Sequence, residues 1–227
     1  MFWREDKNRK GEYRVPDDVF DLVFKLRGES LDIDHAHALS KALQQHLNED
    51  TCARIGVHGI SMAGSGNGWN RPEQIDAELP LSRRARLVIR VRRDDSDAVT
   101  QISNQTLQVG SQAVDIGTSL IRKLSSMSTM YARAVCCDRE QSEDDFLQGA
   151  ADRLVAMGIN VSKMICGKSG AIRVGDEIIF TRALLVADLK PEESVRLQQQ
   201  GLGEERLLGC GLFVPHRGID AVYEIQD

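Results

Sequence analysis

Residues Gly201-Leu202-Gly203-Glu204-Glu205-Arg206-Leu207-Leu208-Gly209-Cys210-Gly211-Leu212-Phe213-Val214-Pro215 set two Gly-x-Gly pairs around a short spacer, with a β-rich run behind them. Glycine reaches positive φ and lets backbone approach another chain closely, so the stretch reads as a loop folded against a ligand. It is not the dinucleotide fingerprint, which follows a strand and opens a helix. Here the order is reversed. Pro191 to Gln200 reads as a helix before the loop, and Gly211 to Val214 begins a last strand after it.

Working outward from that ending, the element order repeats. Val19 to Leu26 reads as a strand and Asp34 to Leu47 as a helix, with Ala36, Leu39, Leu43 and Leu47 at helical spacing and Asp32 or Asp34 as its cap. Ala53 to Met62 and Arg84 to Arg93 read as strands around a loop at Ala63 to Pro72. Asp95 to Ile102 reads as a short helix and Leu107 to Ile116 as a hairpin. Met130 to Cys137, Glu143 to Met157, Lys163 to Cys166, Ile178 to Asp188 and the Gly-rich ending then run through the same β-α-β-β-α-β pattern. The expected fold is α+β, with two tandem ferredoxin-like domains at 1–118 and 119–227.

Three segments carry a family resemblance. Leu208-Gly209-Cys210-Gly211-Leu212-Phe213-Val214-Pro215, placed between a helix and a final strand, resembles the signature of the CRISPR-associated RAMP proteins. It is most similar to the Cas-six-type endoribonucleases, which cut CRISPR precursor RNA at its repeats. Asp34-His35-Ala36-His37-Ala38-Leu39 resembles that family's Asp-His-x-Tyr-Ala-Leu segment on the first helix, with His37 standing at the tyrosine position. Gly56-Val57-His58 resembles a Gly-Ile-His segment on the second strand, and Gly167-Lys168 followed by Arg173 resembles a Gly-Lys turn before an Arg-bearing strand. The resemblance implies a metal-independent endoribonuclease with no cofactor, whose partners are the repeat hairpin and other subunits of a CRISPR effector complex. It also leaves a second reading, a RAMP subunit that holds guide RNA without cutting it.

Composition sets bounds around this reading. The chain has 227 residues, 41% hydrophobic, which suits one large domain or two smaller ones. Five cysteines without CxxC spacing argue against a zinc site or a disulfide framework and for a reducing cytoplasm. The charged start and the lack of an apolar run of about 20 residues argue against a secretory leader and a membrane span. A net charge of −5 weighs against a nucleic-acid binder unless the charges are segregated, and they are.

Base is concentrated in Leu81-Ser82-Arg83-Arg84-Ala85-Arg86-Leu87-Val88-Ile89-Arg90-Val91-Arg92-Arg93. Strand alternation places Arg84, Arg86, Arg90 and Arg92 on one face and Ala85, Leu87, Ile89 and Val91 on the other. Unmixed arginine suits phosphate, which its planar fork binds through two hydrogen bonds. The bland alternative is pairing with acids on neighbouring strands. Arg83, Arg84, Arg86, Arg90, Arg92, Lys168 and Arg173 are thus the expected RNA contacts, with Gly201, Gly203, Gly209 and Gly211 of the closing loop. Arg122 and Lys123 extend the track. Aromatics are only 5%, so reading of a folded hairpin by shape and phosphate is expected in place of base stacking.

Histidine, with a pKa near neutrality, suits the proton transfers of RNA scission. His35 and His37 flank the apolar stripe of the first helix, and Lys41 lies four residues beyond His37 on its face. His35, His37 and Lys41 are the expected catalytic set, with Lys41 stabilising a charged phosphorane. His58 is the next candidate. Its bland reading is a structural histidine. The loop Gly64 to Pro72 lacks the Gly-Lys-Ser/Thr of a P-loop, and Trp69 within it is a candidate base clamp.

Overall fold

A computed structural model describes residues 13–60 and 78–216. The first half comprises β1 (Val19–Arg27), β2 (Ser30–Asp32), α1 (Ala36–Gln44), α2 (Glu49–Arg54), β3 (Gly56–His58), β4 (Glu78–Pro80) and β5 (Arg86–Arg92). It ends with α3 (Ser96–Thr100), β6 (Thr106–Val109) and β7 (Gln112–Lys123). The second half comprises β8 (Met130–Cys136), α4 (Glu143–Ala156), β9 (Lys163–Val174), β10 (Glu177–Ala187), α5 (Pro191–Gln200) and β11 (Phe213–Pro215).

Each half is built on one main antiparallel sheet with helices on its core side, and β2 and β4 of the first half pair separately as a two-stranded ribbon. The first runs β3-β5-β1-β7-β6 and the second β11-β8-β10-β9. Leaving out the added edge strand β6, both place the last strand beside the first, then the third, then the second. That is the ferredoxin-like order, so the α+β expectation holds. In β1, Phe20, Leu22, Phe24 and Leu26 alternate inward and meet Leu87, Ile89 and Val91 of β5 and Leu39, Ala42 and Leu43 of α1. Each such side chain contributes roughly 1.5–3 kcal/mol on burial. The second half buries Met130, Ala132, Leu154, Leu184, Val186 and Leu197 in the same way.

Local chemistry explains the ends of the helices. Asn48 accepts from the backbone N–H of Thr51 to start α2, and Ser142 accepts from Asp145 to start α4. Pro191 opens α5, and the Glu193 carboxylate accepts from the N–H of Lys190 at 2.8 Å.

Three expectations are corrected. Ala53 to Met62 is not one strand: α2 occupies its start, and of its described residues, 53–60, Gly56–His58 are those that pair, with β5. β7 runs on to Lys123, past the expected boundary at 118, because it pairs with β1 as far as Phe20↔Lys123. Lys168 is not at a hairpin tip. It lies inside the 12-residue β9, and the turn to β10 falls at Gly175 instead. The loop at Ala63 to Pro72, with Trp69, lies outside the described residues.

Candidate active site and RNA-binding surface

The N-terminal end of α1 is fixed by its histidines. His35 is the N-cap residue, only 6% exposed, and makes no side-chain bond to the helix N–H groups. Its Nδ1 lies 2.9 Å from the carbonyl oxygen of Asp32, and its Nε2 lies 3.1 Å from the backbone nitrogen of Ile60. A carbonyl can only accept and an amide N–H can only donate. His35 is therefore neutral, with its proton on Nδ1 and its lone pair on Nε2.

His37, half-buried two residues further on, is fixed in the opposite tautomer. The N–H of Gly175 at the β9–β10 turn donates to its Nδ1 at 3.1 Å, which leaves the proton on Nε2. Beside it, the N–H of Arg173 donates to Asp34 Oδ2 at 3.0 Å. The β9–β10 turn thus docks on the start of α1. Lys41, one turn further along the face of His37, is exposed. Helix Cβ atoms tilt toward the N-terminus, so both rings address the same end of α1 while lying on different flanks. The expected set is brought together only in part: His37 and Lys41 share a face, and His35 turns toward β3.

The arginine ribbon divides in two. Arg83, Arg84 and Arg92 are exposed and Arg86 is half-buried, as expected of phosphate contacts. Arg90 is not available to RNA. It is 1% exposed, pairs with Asp21, and donates through Nη1 to the carbonyl oxygens of Gln198 at 3.0 Å and Phe213 at 2.9 Å. The alternation put Arg90 on the correct face, but α5 and β11 of the second half cover that part of it. Lys168 and Arg173 are exposed on β9.

Around Arg90 lies a buried charge cluster that the ribbon did not reveal. Asp21 Oδ2 accepts from Arg122 Nη2 at 2.9 Å, and Oδ1 lies 3.8 Å from His58 Nε2, which has no hydrogen-bond partner. Burial opposes ionisation of Asp21, yet His58 and Arg90 outweigh it and hold the carboxyl far below the usual range. Burial pushes the His58 pKa down, and Asp21 only partly restores it. Burial thus favours the neutral form of His58.

The Gly-rich stretch packs as a joint between the halves. Gly201 (φ +71°) and Gly211 (φ +66°) lie back to back: the N–H of Leu202 donates to Gly211 O at 3.0 Å. A Cβ on Gly201 would come within 2.8 Å of Gly211 O, and one on Gly209 within 3.1 Å of Val57 O in β3. Arg206 turns back onto the end of α5, donating to Gln200 O at 2.9 Å and Gln199 O at 3.4 Å. Gly201 and Gly211 are buried and Gly209 is half-buried; of the four glycines expected to touch RNA, only Gly203 is exposed. Their spacing serves close backbone packing. Among the described residues, no group of three or more His, Cys, Asp and Glu side chains is placed to hold a metal ion. Among the same residues, no helix is long and apolar enough to cross a membrane.

Two ferredoxin-like sheets that meet at a Gly-rich loop, with histidines at the start of the first helix, make this a double-ferredoxin protein. The sequence profile described as Cas6 Crispr matches residues 20–218, and the chain belongs to the Cas6 family. A Myxococcus xanthus (strain DK1622) protein named CRISPR-associated endonuclease Cas6 is 26% identical over 195 residues, 86% of this chain and 80% of that protein. A solved structure titled CRISPR associated protein Cas6 superposes with a TM-score of 0.61 at 9% identity, covering 88% of this chain and all of that one. A Cas6-related protein from Pyrococcus furiosus gives a TM-score of 0.57 at 13% identity, covering 86% and 97%. At those identities the structural likeness concerns the fold.

Proposed function

We propose that this chain is an endoribonuclease that cuts the repeats of CRISPR precursor RNA without a metal ion and then keeps the cut hairpin as an effector subunit. Family membership supports the substrate, and the relative from M. xanthus is named an endonuclease. The observation that carries the chemistry is the pair of fixed tautomers at the start of α1. A base needs a free lone pair whose ring is oriented from behind, and the Asp32 carbonyl orients His35 in that way. In the unliganded chain the lone pair accepts from Ile60, next to the segment 61–77, and the ribose 2′-hydroxyl takes the place of that amide. Catalytic hydrogen bonds commonly reach their working geometry only with substrate bound.

His35 Nε2 then takes the 2′-proton, the 2′-oxygen bonds to phosphorus, and the bond to the 5′-oxygen breaks as that oxygen takes a proton from solvent. His37, with a proton on Nε2, donates to a non-bridging phosphoryl oxygen, and Lys41 offsets the added negative charge. The products are a 2′,3′-cyclic phosphate and a 5′-hydroxyl. A chain that binds guide RNA without cutting it is the second reading, and the burial of His35 is what favours it. The test is cleavage of a repeat transcript in excess EDTA with end-group analysis. Cyclic phosphate ends, and no cleavage when the scissile nucleotide is 2′-deoxy, support the reading. Activity that returns only with Mg²⁺ overturns it.

A further inference from the structure

At the far end of the first sheet, away from the joint, β1 closes on Lys25-Leu26-Arg27 and β5 is entered through Arg83 and Arg86. These segments line an open pocket of about 560 Å³ whose other walls include Leu81 and Ser82. Lys25 and Arg86 are register partners across β1 and β5, so their side chains share the face that the core does not use. Among the described residues, eight line it, of which four are cationic and none is acidic. Cations gathered on one wall repel one another, and an anion between them relieves that repulsion.

Two neighbouring carboxylates hold hydrogen bonds of their own, and Glu29, exposed beside Arg27, is the acid nearest in sequence. Asp115, the register partner of Arg27 on β7, accepts from Thr106 Oγ1 at 2.6 Å. Glu78 accepts from Ser30 at 2.5 Å and from Gln112 at 3.0 Å. Among the described residues, none of the four cations is ion-paired with a carboxylate. Arg86 is held by its Nη1, which donates to Ala85 O at 2.7 Å and Arg83 O at 3.1 Å. Its remaining edge is thereby pre-oriented for a phosphate fork.

We propose that this pocket, through Lys25, Arg27, Arg83 and Arg86, grips the backbone phosphates of a single-stranded stretch of RNA flanking the cleaved hairpin. The inference rests on the RNA-processing reading above and adds to it Lys25 and Arg27, which lie outside the ribbon. The volume falls in the range of about 300–1,000 Å³ typical of small-ligand sites, enough for a nucleotide or two of an unpaired strand. Leu81 gives a base an apolar wall while the cations hold its phosphate.

The test compares two RNAs by fluorescence anisotropy across a salt series: the repeat hairpin alone, and the hairpin with its natural single-stranded flanks. The protein carries Lys25→Gln and Arg27→Gln together, and its melting curve confirms that it folds. Losing two single-strand phosphate contacts lowers the log–log salt slope for the flanked RNA by about 1.4. Affinity for that RNA falls roughly ten-fold more than affinity for the bare hairpin. Equal losses on both RNAs, or none on either, overturn the pocket while leaving the RNA-processing reading intact. If the wild-type chain binds neither RNA, that reading falls first and the pocket with it.

Discussion

Arg90 and Asp21 face each other across β1 and β5, with Arg90 Nε donating to Asp21 Oδ1 at 2.9 Å. The same guanidinium reaches carbonyls of α5 and β11, so one side chain pins the first sheet to the second half. Breaking a buried pair leaves an uncompensated charge, at a cost of about 3–5 kcal/mol. Arg90→Ala should lose stability in that range in urea unfolding. A loss below about 1 kcal/mol would show that Arg122, which also holds Asp21, carries the carboxylate alone.

The same cluster sets a pH dependence. Burial lowers the His58 pKa below its ordinary 6.5, so between the two values the unfolded chain binds the proton more readily than the folded one. Stability at this site is full above pH 6.5 and declines as pH falls toward the folded value. Asp21, held low by His58 and Arg90 against its burial, contributes stability that is present above its ordinary 3.8 and lost only in stronger acid. Urea midpoints at pH 7.5 and 5.5 should therefore differ more for wild type than for His58→Gln. Identical pH dependence in the two proteins would place the titrating group elsewhere.

The Gly-rich joint predicts an ordering among glycine variants. Gly211→Ala forces an L residue to φ +66° and drives its Cβ into the backbone of Leu202. Positive φ alone costs on the order of 1–3 kcal/mol, and the clash adds to that. Gly203→Ala carries the φ strain, but its nearest neighbour is the end of the Arg153 side chain at 3.3 Å, which can move. Thermal melting should show Gly211→Ala as clearly the worse. Equal shifts would mean that the joint yields.

Arginine variants should separate along the ribbon. Arg84→Ala and Arg92→Ala remove exposed cations, and each lost phosphate contact lowers the log–log salt slope for RNA by about 0.7 to 0.9. Arg90→Ala should leave the slope unchanged at equal folded concentration, because Arg90 touches only protein. A slope change with Arg90→Ala matching that of Arg84→Ala would return Arg90 to the RNA surface.

What the sequence revealed follows from how local its signals are. α5 is legible end to end, since Pro191 opens it, Glu193 caps it and Gly201 stops it. Period-2 alternation found the polar face of β5 but could not say that α5 and β11 would cover Arg90, because that contact spans more than a hundred residues. Gly167 and Gly170 read as a turn yet sit inside β9. A Cβ at Gly167 would come within 2.9 Å of Ala183 Cβ, so the glycine serves close strand approach. The alternation in β1 also placed Lys25 and Arg27 on the outer face, a signal overlooked beside the denser arginines of β5.

The start of α1 makes the sharpest kinetic prediction. If His35 Nε2 takes the 2′-proton, His35→Ala should slow single-turnover cleavage by roughly 10²- to 10⁴-fold, the usual contribution of a positioned base. Its affinity for the hairpin should change little, because arginines and lysines hold the RNA. His37 offers only a hydrogen-bond donor while Gly175 occupies its other nitrogen, so His37→Gln, which keeps a donor, should retain more activity than His37→Ala. Lys41→Ala should lower the rate by an intermediate amount and Lys41→Arg should recover part of it, as a charge role requires. Wild-type rates in His35→Ala would remove it from the chemistry. Wild-type binding with no cleavage by any protein, wild type included, would establish a chain that holds guide RNA.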